Sequence, residues 1–176
     1  KDQGDSHSFA ELLKECNEIA GVERVRYMTS HPRDMSEEVV KVVSESKNIC
    51  ENFHIPAQSG SNRILKAMNR GYTREKYLSL VDSIKKYCPE AAITTDIIVG
   101  FPGETEEDFQ DTLSLMQEVQ FDAAYTYIYS KRSGTPAAGF EDQIPLNVKK
   151  ERLNRLMEVQ NETSLTKNKL LIGKKL

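Results

Sequence analysis

The stretch that decides the fold class is Ala91-Ala-Ile-Thr-Thr-Asp-Ile-Ile-Val-Gly-Phe-Pro-Gly-Glu-Thr105. The residues up to Val99 are mostly apolar and β-branched, which predicts a parallel strand that is buried on both faces. A turn rich in glycine and proline follows, and Thr105 with Asp108 resembles the capping box that begins a helix over 106–119. The stretch therefore predicts a strand, a loop and a helix in direct succession.

The same strand-and-helix unit recurs on both sides of this stretch. Predicted strands cover 22–28, 51–55, 91–99 and 121–129. Predicted helices begin at Ser8, Ser36, Ser61, Thr73, Thr105 and Asn147. Strands that start roughly 30–40 residues apart, with helices between them, predict right-handed crossovers and a parallel sheet. About four such strands cannot close a barrel, so the pattern fits either an open doubly wound sheet or part of a larger barrel.

The composition is that of an ordinary globular domain. The chain has 176 residues, of which 38% are hydrophobic and 29% are charged. No apolar run approaches the roughly 18 residues that a membrane span needs, so we expect no membrane association. A net charge of −3 at pH 7 excludes bulk attraction to nucleic acid. Any RNA contact must then come from a local basic patch or from another domain.

The cysteines and the two ends of the sequence bear on location and completeness. Cys16, Cys50 and Cys88 are widely separated, and no pair has the close spacing of a zinc or iron–sulfur loop. An odd number of cysteines without a secretory leader predicts reduced thiols and a cytoplasmic protein. The sequence starts at Lys1 in a loop-like stretch, and it stops at 172–176 before a further strand. We therefore expect an internal piece of a longer protein.

Small polar residues, glycine and proline concentrate directly after the predicted strands. The four stretches are Thr29-Ser-His-Pro32, His54-Ile-Pro-Ala-Gln-Ser-Gly-Ser61, Asp96-Ile-Ile-Val-Gly-Phe-Pro-Gly-Glu104 and Tyr127-Ile-Tyr-Ser-Lys-Arg-Ser-Gly-Thr-Pro136. In parallel α/β folds, functional residues collect at the carboxyl ends of the strands. The pattern therefore predicts one composite site at this end of the sheet.

Several residues in these stretches have both a functional and a structural interpretation. Asp96 lies in an apolar strand, where a carboxylate is costly unless it is paired or at the strand mouth, so a functional position is favoured. His31 and His54 are either bases or ligands, or hydrogen-bonding loop residues. The turn over 58–61 either binds ribose hydroxyls or a carboxylate, or serves as a turn with a helix cap.

The third and fourth strand ends offer aromatic and basic groups. Gly100-Phe-Pro-Gly103 forms a turn that could lie against an aromatic ring such as adenine, although it lacks the spacing of a phosphate-binding loop. Tyr125, Tyr127 and Tyr129 alternate, so they share one face of the strand. Lys131-Arg132 follows directly and either meets a phosphate or carboxylate, or is simply solvated.

Four long stretches of the sequence resemble the radical S-adenosylmethionine (SAM) methylthiotransferase family. They are Thr29-Ser-His-Pro-Arg-Asp34, His54-Ile-Pro-Ala-Gln-Ser-Gly-Ser-Asn-Arg-Ile-Leu-Lys-Ala-Met-Asn-Arg-Gly-Tyr-Thr73, Thr95-Asp-Ile-Ile-Val-Gly-Phe-Pro-Gly-Glu-Thr105 and Ser130-Lys-Arg-Ser-Gly-Thr-Pro-Ala137. The resemblance covers essentially the whole chain. Arg33-Asp34 and Asn69-Arg-Gly-Tyr72 favour the MiaB type, which methylthiolates C2 of N6-isopentenyladenosine in tRNA next to the anticodon. Sister branches modify threonylcarbamoyladenosine in tRNA or an aspartate of a ribosomal protein.

The resemblance implies a partial radical SAM (β/α) barrel with about four parallel strands and flanking helices. Residues 1–147 would form the carboxyl-terminal part of the barrel, and residues 148–171 a closing helix that leads to a missing TRAM domain. The implied cofactors are S-adenosylmethionine and two [4Fe-4S] clusters. No cysteine here matches a cluster ligand of the family, so this chain would bind no metal and contain no catalytic residue. The implied partners are the anticodon stem-loop of tRNA and an electron donor that reduces the cluster.

The resemblance also assigns binding residues by motif position. The cofactor-binding residues would be Gln58, Ser59, Asp96, Gly100, Phe101, Tyr127 and Tyr129. The substrate-binding residues would be Ser30, His31, Lys131 and Arg132. The alternative from another class of protein is a non-catalytic α/β module that binds RNA or a protein partner.

Overall fold

A computed structural model describes residues 8–28, 31–32 and 35–174, and it contains helices and strands in alternation over most of that length. The elements are α1 (Phe9–Glu18), α2 (Glu37–Glu45), β1 (Asn52–His54), α3 (Asn62–Ala67), α4 (Arg74–Tyr87), β2 (Ala92–Val99), α5 (Glu106–Val119), β3 (Ala123–Ile128), a 3-10 turn (Pro136–Gly139) and α6 (Leu146–Leu171). Each predicted helix is present, and its start lies within about one residue of the predicted position. None of these helices is both long enough and apolar enough to cross a membrane.

The strands form a parallel sheet in the order β1-β2-β3, so the predicted α/β class is confirmed. The expectation of about four strands is wrong for the described residues, because 22–28 makes only an isolated parallel bridge between Val25 and Ile49. The segment lacks a partner over its length: Glu23, Arg24 and Arg26 are exposed, and only Val25 is paired. The sheet therefore has three strands.

Side-chain caps fix where most helices begin. The Thr105 hydroxyl accepts a hydrogen bond from the Asp108 amide, and the Asp108 carboxylate accepts one from the Thr105 amide, which confirms the predicted capping box. Ser36, Ser61 and Thr73 cap α2, α3 and α4 through one hydroxyl each. These local signals can be read directly from sequence.

One face of the sheet is covered by helices and the other is open. Along β2, burial alternates residue by residue, so the prediction of a strand buried on both faces is wrong. The buried side chains, which pack into the core with the helices, are Ile93, Thr95, Ile97 and Val99. The pairing register places the intervening residues of all three strands on the opposite side. We call this side the open face, and its residues are His54, Thr94, Asp96, Ile98, Tyr125 and Tyr127.

The turn after β1 packs unusually tightly against α5. A Cβ added at Gly60 would lie 2.3 Å from the Asp111 carbonyl oxygen and 2.6 Å from the Thr112 Cα. The Gly60 amide also donates a hydrogen bond of 3.0 Å to the Thr112 hydroxyl. The glycine is thus needed where two backbones meet, which is a structural role that the sequence motif alone did not reveal.

We expect Gly60→Ala to destabilise the fold by about 1–3 kcal/mol or more, because the obstructing atoms belong to backbone and cannot rotate away. The matched control is Gly139→Ala, since an added Cβ at Gly139 meets no atom within 4 Å. Urea unfolding of the purified protein measures both. Equal unfolding midpoints for the two variants would show that α5 does not approach this turn so closely.

Candidate functional site

A histidine, a threonine and an aspartate meet on the open face where β1 and β2 pair. Nδ1 of His54 lies 3.0 Å from the Thr94 hydroxyl, and its Nε2 lies 3.6 Å from Oδ2 of Asp96. His54 is 9% exposed, whereas the Asp96 side chain is 26% exposed. The carboxylate is therefore more accessible to a bound molecule than the imidazole is.

Two tyrosines extend this polar group across β3. Tyr125 pairs with Asp96 in the sheet, and its ring centroid lies 5.9 Å from that of His54 in an edge-to-face arrangement. Tyr127 pairs with Ile98 one step closer to the carboxyl end. The two rings are 57% and 52% exposed, respectively. The open face thus offers aromatic surface and hydroxyl groups beside a carboxylate, which suits a polar ligand that contains rings.

Gln58 and Ser59 follow β1, and both are buried. Gln58 has a left-handed backbone (φ 65°) and continues the pairing with β2, since its amide donates to the Asp96 carbonyl over 2.8 Å. Ser59 is buried, and its hydroxyl lies 3.3 Å from that of Thr112 and accepts from the Ser61 amide. Gln58 therefore lies beside Asp96, whereas the Ser59 hydroxyl is engaged with α5.

The turn after β2 is held by a lysine of α6. Gly100 has a φ of +72°, and a Cβ there would lie 2.4 Å from the Lys149 Cγ. The Lys149 ammonium donates to the Tyr129 carbonyl over 3.1 Å and lies 5.1 Å from the centre of the Tyr129 ring. Phe101 is buried, with its ring centroid 5.1 Å from that of Tyr129. Gly100, Phe101 and Tyr129 are thus brought together, and the contact of Phe101 with adenine stays a prediction.

A buried ion pair between Glu104 and Arg152 also holds the turn after β2. Oε2 of Glu104 accepts hydrogen bonds from the Gly100 amide over 2.8 Å and from Nη1 of Arg152 over 2.7 Å. Burial raises the pKa of the Glu104 carboxyl, and the Gly100 amide and the Arg152 guanidinium act against that increase. The helix α6 therefore holds the turn at two points, through Lys149 and through Arg152.

The carboxylate of Asp108 connects the loop after β1 to the loop after β2. It accepts hydrogen bonds from the Ser61 hydroxyl over 2.6 Å, from the Arg63 guanidinium, and from the Thr105 amide over 2.8 Å. Arg63 also donates to the Gly103 carbonyl over 2.6 Å. Burial opposes ionisation of Asp108, but the hydrogen bonds from Arg63, Ser61 and Thr105 outweigh it and lower its pKa to about 2.

The predicted substrate-binding residues lie at the edges of this region. Lys131 and Arg132 are exposed in the loop after β3. His31 is half-buried, and its ring centroid lies 5.3 Å from that of Tyr72, whose hydroxyl donates to the carbonyls of 56 and 57. Ser30 lies outside the described residues. The structure thus separates these residues into two groups, one beside β1 and one beyond β3.

No group of three or more His, Cys, Asp and Glu side chains suited to a metal ion occurs in the described ranges 8–28, 31–32 and 35–174. Cys16, Cys50 and Cys88 are free thiols. Burial raises the pKa of the Cys88 thiol to about 11, which disfavours the thiolate that binds metals. These residues therefore do not fit an iron–sulfur cluster.

The sequence singled out Asp96 and the tyrosines but missed the residues that hold them. Thr94 contacts His54 because of the strand register. Lys149 and Arg152 contact the turn after β2 because of how α6 packs. Nothing in the sequence of α6 indicated that Lys149 and Arg152 would be buried. Glu104 directly follows the Gly-Phe-Pro-Gly turn, and this position was the only local sign that it holds the turn.

A family model described as the radical SAM superfamily matches residues 3–116, which is more than half of the chain. The chain belongs to the radical SAM superfamily.

Among curated proteins, the chain is similar to enzymes named tRNA-2-methylthio-N(6)-dimethylallyladenosine synthase. It is 58% identical to the one from Clostridium botulinum strain Hall, over 99% of this chain and 39% of that protein. It is 56% identical to the one from Acetivibrio thermocellus, over 99% of this chain and 36% of that protein. The chain therefore spans little more than a third of the length of these relatives. The resemblance to methylthiotransferases is confirmed.

A solved structure shows the same fold. The coproporphyrinogen III oxidase HemN of Escherichia coli, described as a radical SAM enzyme, matches with a TM-score of 0.66. The match covers 80% of this chain and 32% of that chain, at 17% sequence identity. At this identity the likeness concerns the fold alone, and it agrees with the predicted partial radical SAM barrel.

We expect Asp108→Asn to lower the free energy of unfolding by about 2 kcal/mol at pH 7. A carboxyl with a pKa near 4 when unfolded and about 2 when folded contributes roughly this amount above pH 4. That contribution is lost as the pH falls from about 4 to about 2. Urea unfolding at several pH values measures it, and the variant should lose this part of the acid dependence.

The control for this prediction is Asp111→Asn, which removes an exposed carboxylate from the same helix. It should keep the acid dependence of the unaltered protein, since the Asp108 network is intact. If Asp108→Asn and Asp111→Asn gave the same pH profile, the hydrogen bonds from Ser61, Arg63 and Thr105 would not stabilise the Asp108 carboxylate.

Proposed function

We propose that this chain forms part of the S-adenosylmethionine and substrate pocket of a tRNA methylthiotransferase. The reaction is methylthiolation of C2 of N6-isopentenyladenosine next to the anticodon. The single observation that carries the proposal is 56–58% identity, over 99% of the chain, to enzymes named as synthases of this modified nucleoside. Their names favour this branch over those that act on threonylcarbamoyladenosine or on a protein aspartate. The proposal implies a cytoplasmic enzyme.

The open face fits S-adenosylmethionine chemically. The cofactor has ribose hydroxyls and an α-ammonium group, which donate hydrogen bonds, and the partly exposed Asp96 carboxylate can accept them. The Gln58 amide bonds to the Asp96 carbonyl, and Tyr127 offers ring surface on the open face. When bound, the cofactor supplies the methyl group and the radical chemistry. The role of this chain is to bind and orient it at Asp96, Gln58 and Tyr127, with Gly100, Phe101 and Tyr129 at the rim.

The cluster ligands lie elsewhere in the full-length protein according to this proposal. The described residues hold no suitable group of ligands, and the relatives are more than twice as long as the matched region. The two [4Fe-4S] clusters and the electron donor would then act through other segments. Residues 1–147 would complete a barrel with those segments, and 148–171 would lead from the barrel towards a TRAM domain.

The substrate would enter across the edges of the open face. Lys131 and Arg132 are exposed cations beyond β3, where they would meet phosphates of the anticodon stem-loop. His31 lies at the other edge, beside the turn after β1. Ser30 precedes it in the chain. Burial of the target base between these groups would exclude water from the reacting carbon.

The test is complementation in a strain that lacks its own synthase. The full-length gene that contains this chain should restore 2-methylthio-N6-isopentenyladenosine, measured by mass spectrometry of digested tRNA. Asp96→Asn should lower the amount of product roughly tenfold or more, because an amide cannot replace the charged acceptor. The matched control is Asp82→Asn, the same change on the exposed side of α4, which should leave the product unchanged.

Two results would contradict the proposal. The first is the absence of the 2-methylthio nucleoside although the full-length protein is present with its iron. The second is the appearance of 2-methylthio-threonylcarbamoyladenosine instead, which would assign the chain to the sister branch.

A further inference from the structure

We infer that His54 and Thr94 are positioning residues that hold the Asp96 carboxylate in place for S-adenosylmethionine. This inference rests on the proposed function, and it assigns a task to two residues that no family motif described above identifies as binding residues. The observation that carries it is a chain of contacts across the open face. Thr94 contacts one nitrogen of the His54 ring, and the other nitrogen faces Asp96.

The backbone fixes the first part of this chain of contacts. His54 and Thr94 are register partners in the parallel sheet, so their side chains emerge side by side. The 3.0 Å contact between Nδ1 and the Thr94 hydroxyl then limits rotation of the ring. When that hydroxyl donates to Nδ1, the ring proton resides on Nε2, which is 3.6 Å from Oδ2 of Asp96. The contact thus fixes the orientation of the ring, and the arrangement in which Thr94 donates is the one that supplies Asp96 with a donor.

Burial assigns the roles within the group. His54 is 9% exposed and packs edge-to-face with the Tyr125 ring, so a ligand on the open face meets little of it. Asp96 keeps about a quarter of its side chain exposed. His54 therefore acts through Asp96, in the same way that second partners orient ligating groups at other polar sites.

The fold itself does not require such a pair. Replacing a buried ionic or polar pair with apolar residues of similar volume is often neutral or stabilising. The opposite face of β2 shows this alternative, since Ile93, Ile97 and Val99 fill it with apolar side chains. A histidine and an aspartate in contact on the face that remains open are thus better explained by a bound molecule than by stability.

The test measures S-adenosylmethionine binding rather than turnover. Equilibrium dialysis of the full-length, cluster-loaded protein with radiolabelled S-adenosylmethionine, without reductant, gives the Kd. We expect His54→Leu to raise this Kd roughly tenfold, because Asp96 loses its partner. His54→Gln should restore most of the affinity, since its amide can donate at the position of Nε2. The KM for tRNA should change by less than about twofold in all these variants.

A second pair of variants keeps the inference falsifiable if His54→Leu fails to fold. Thr94→Val removes the hydroxyl and keeps the β-branched shape, whereas Thr94→Ser keeps the hydroxyl. We expect a Kd increase of about threefold to tenfold for valine and little change for serine. The matched control is Thr126→Val on the helix-covered face of β3, which should leave the Kd unchanged.

The same dialysis with 5′-methylthioadenosine identifies the group that Asp96 binds. This probe has the ribose hydroxyls and lacks the ammonium group. A loss of affinity for both molecules in His54→Leu supports a ribose contact, and a loss for S-adenosylmethionine alone supports an ammonium contact.

Unchanged Kd values in folded His54→Leu and Thr94→Val would overturn the inference. An increase confined to the KM for tRNA would also overturn it, because His54 would then affect binding of tRNA rather than of S-adenosylmethionine. Failure of the proposed function is recognised separately, because the unaltered protein would then form no 2-methylthio-N6-isopentenyladenosine. Its Kd for S-adenosylmethionine and the effect of His54→Leu on that Kd would still be measurable.

Discussion

The carboxylate of Asp108 is the constraint on which the arrangement of the site depends. It accepts hydrogen bonds from the loop after β1, through Ser61 and Arg63, and from the loop after β2, through Thr105. These loops carry Gln58 and Gly100, two of the residues proposed to bind the cofactor. One buried charge therefore holds the two loops at a fixed separation. The same charge caps α5, so the start of the helix and the two loops depend on one side chain.

Local signals explain why much of the fold could be predicted from sequence. A capping residue and its partner lie three positions apart, so the starts of α2 and α5 are visible in the chain itself. The prediction of a strand over 22–28 is wrong for the opposite reason. Its alternating pattern resembles a strand, but a strand needs a partner over several residues, and only Val25 finds one. The alternating burial of β2 likewise depends on what covers each face, which apolar content does not reveal.

The residues of the candidate site also differ in whether local sequence signals reveal them. Asp96 was identifiable because a carboxylate in an apolar strand is anomalous on its own, and the motif resemblance singled out Gln58 and Tyr127. The contact between Thr94 and His54 arises from strand register, because the two residues are 40 positions apart in the sequence. The hold of Lys149 and Arg152 on the rim depends on the packing of α6. The residues proposed to contact the cofactor were thus found more readily than the residues that hold them.

The contact between Gly100 and Lys149 carries a consequence for how this sequence can change. The lysine stem occupies the space where any side chain at position 100 would begin, and the positive φ of Gly100 already disfavours other residues. A side chain at position 100 would need a smaller residue at 149, which would also remove the ammonium from Tyr129. Position 100 is therefore restricted twice, by its own backbone and by a lysine nearly 50 residues away in the sequence.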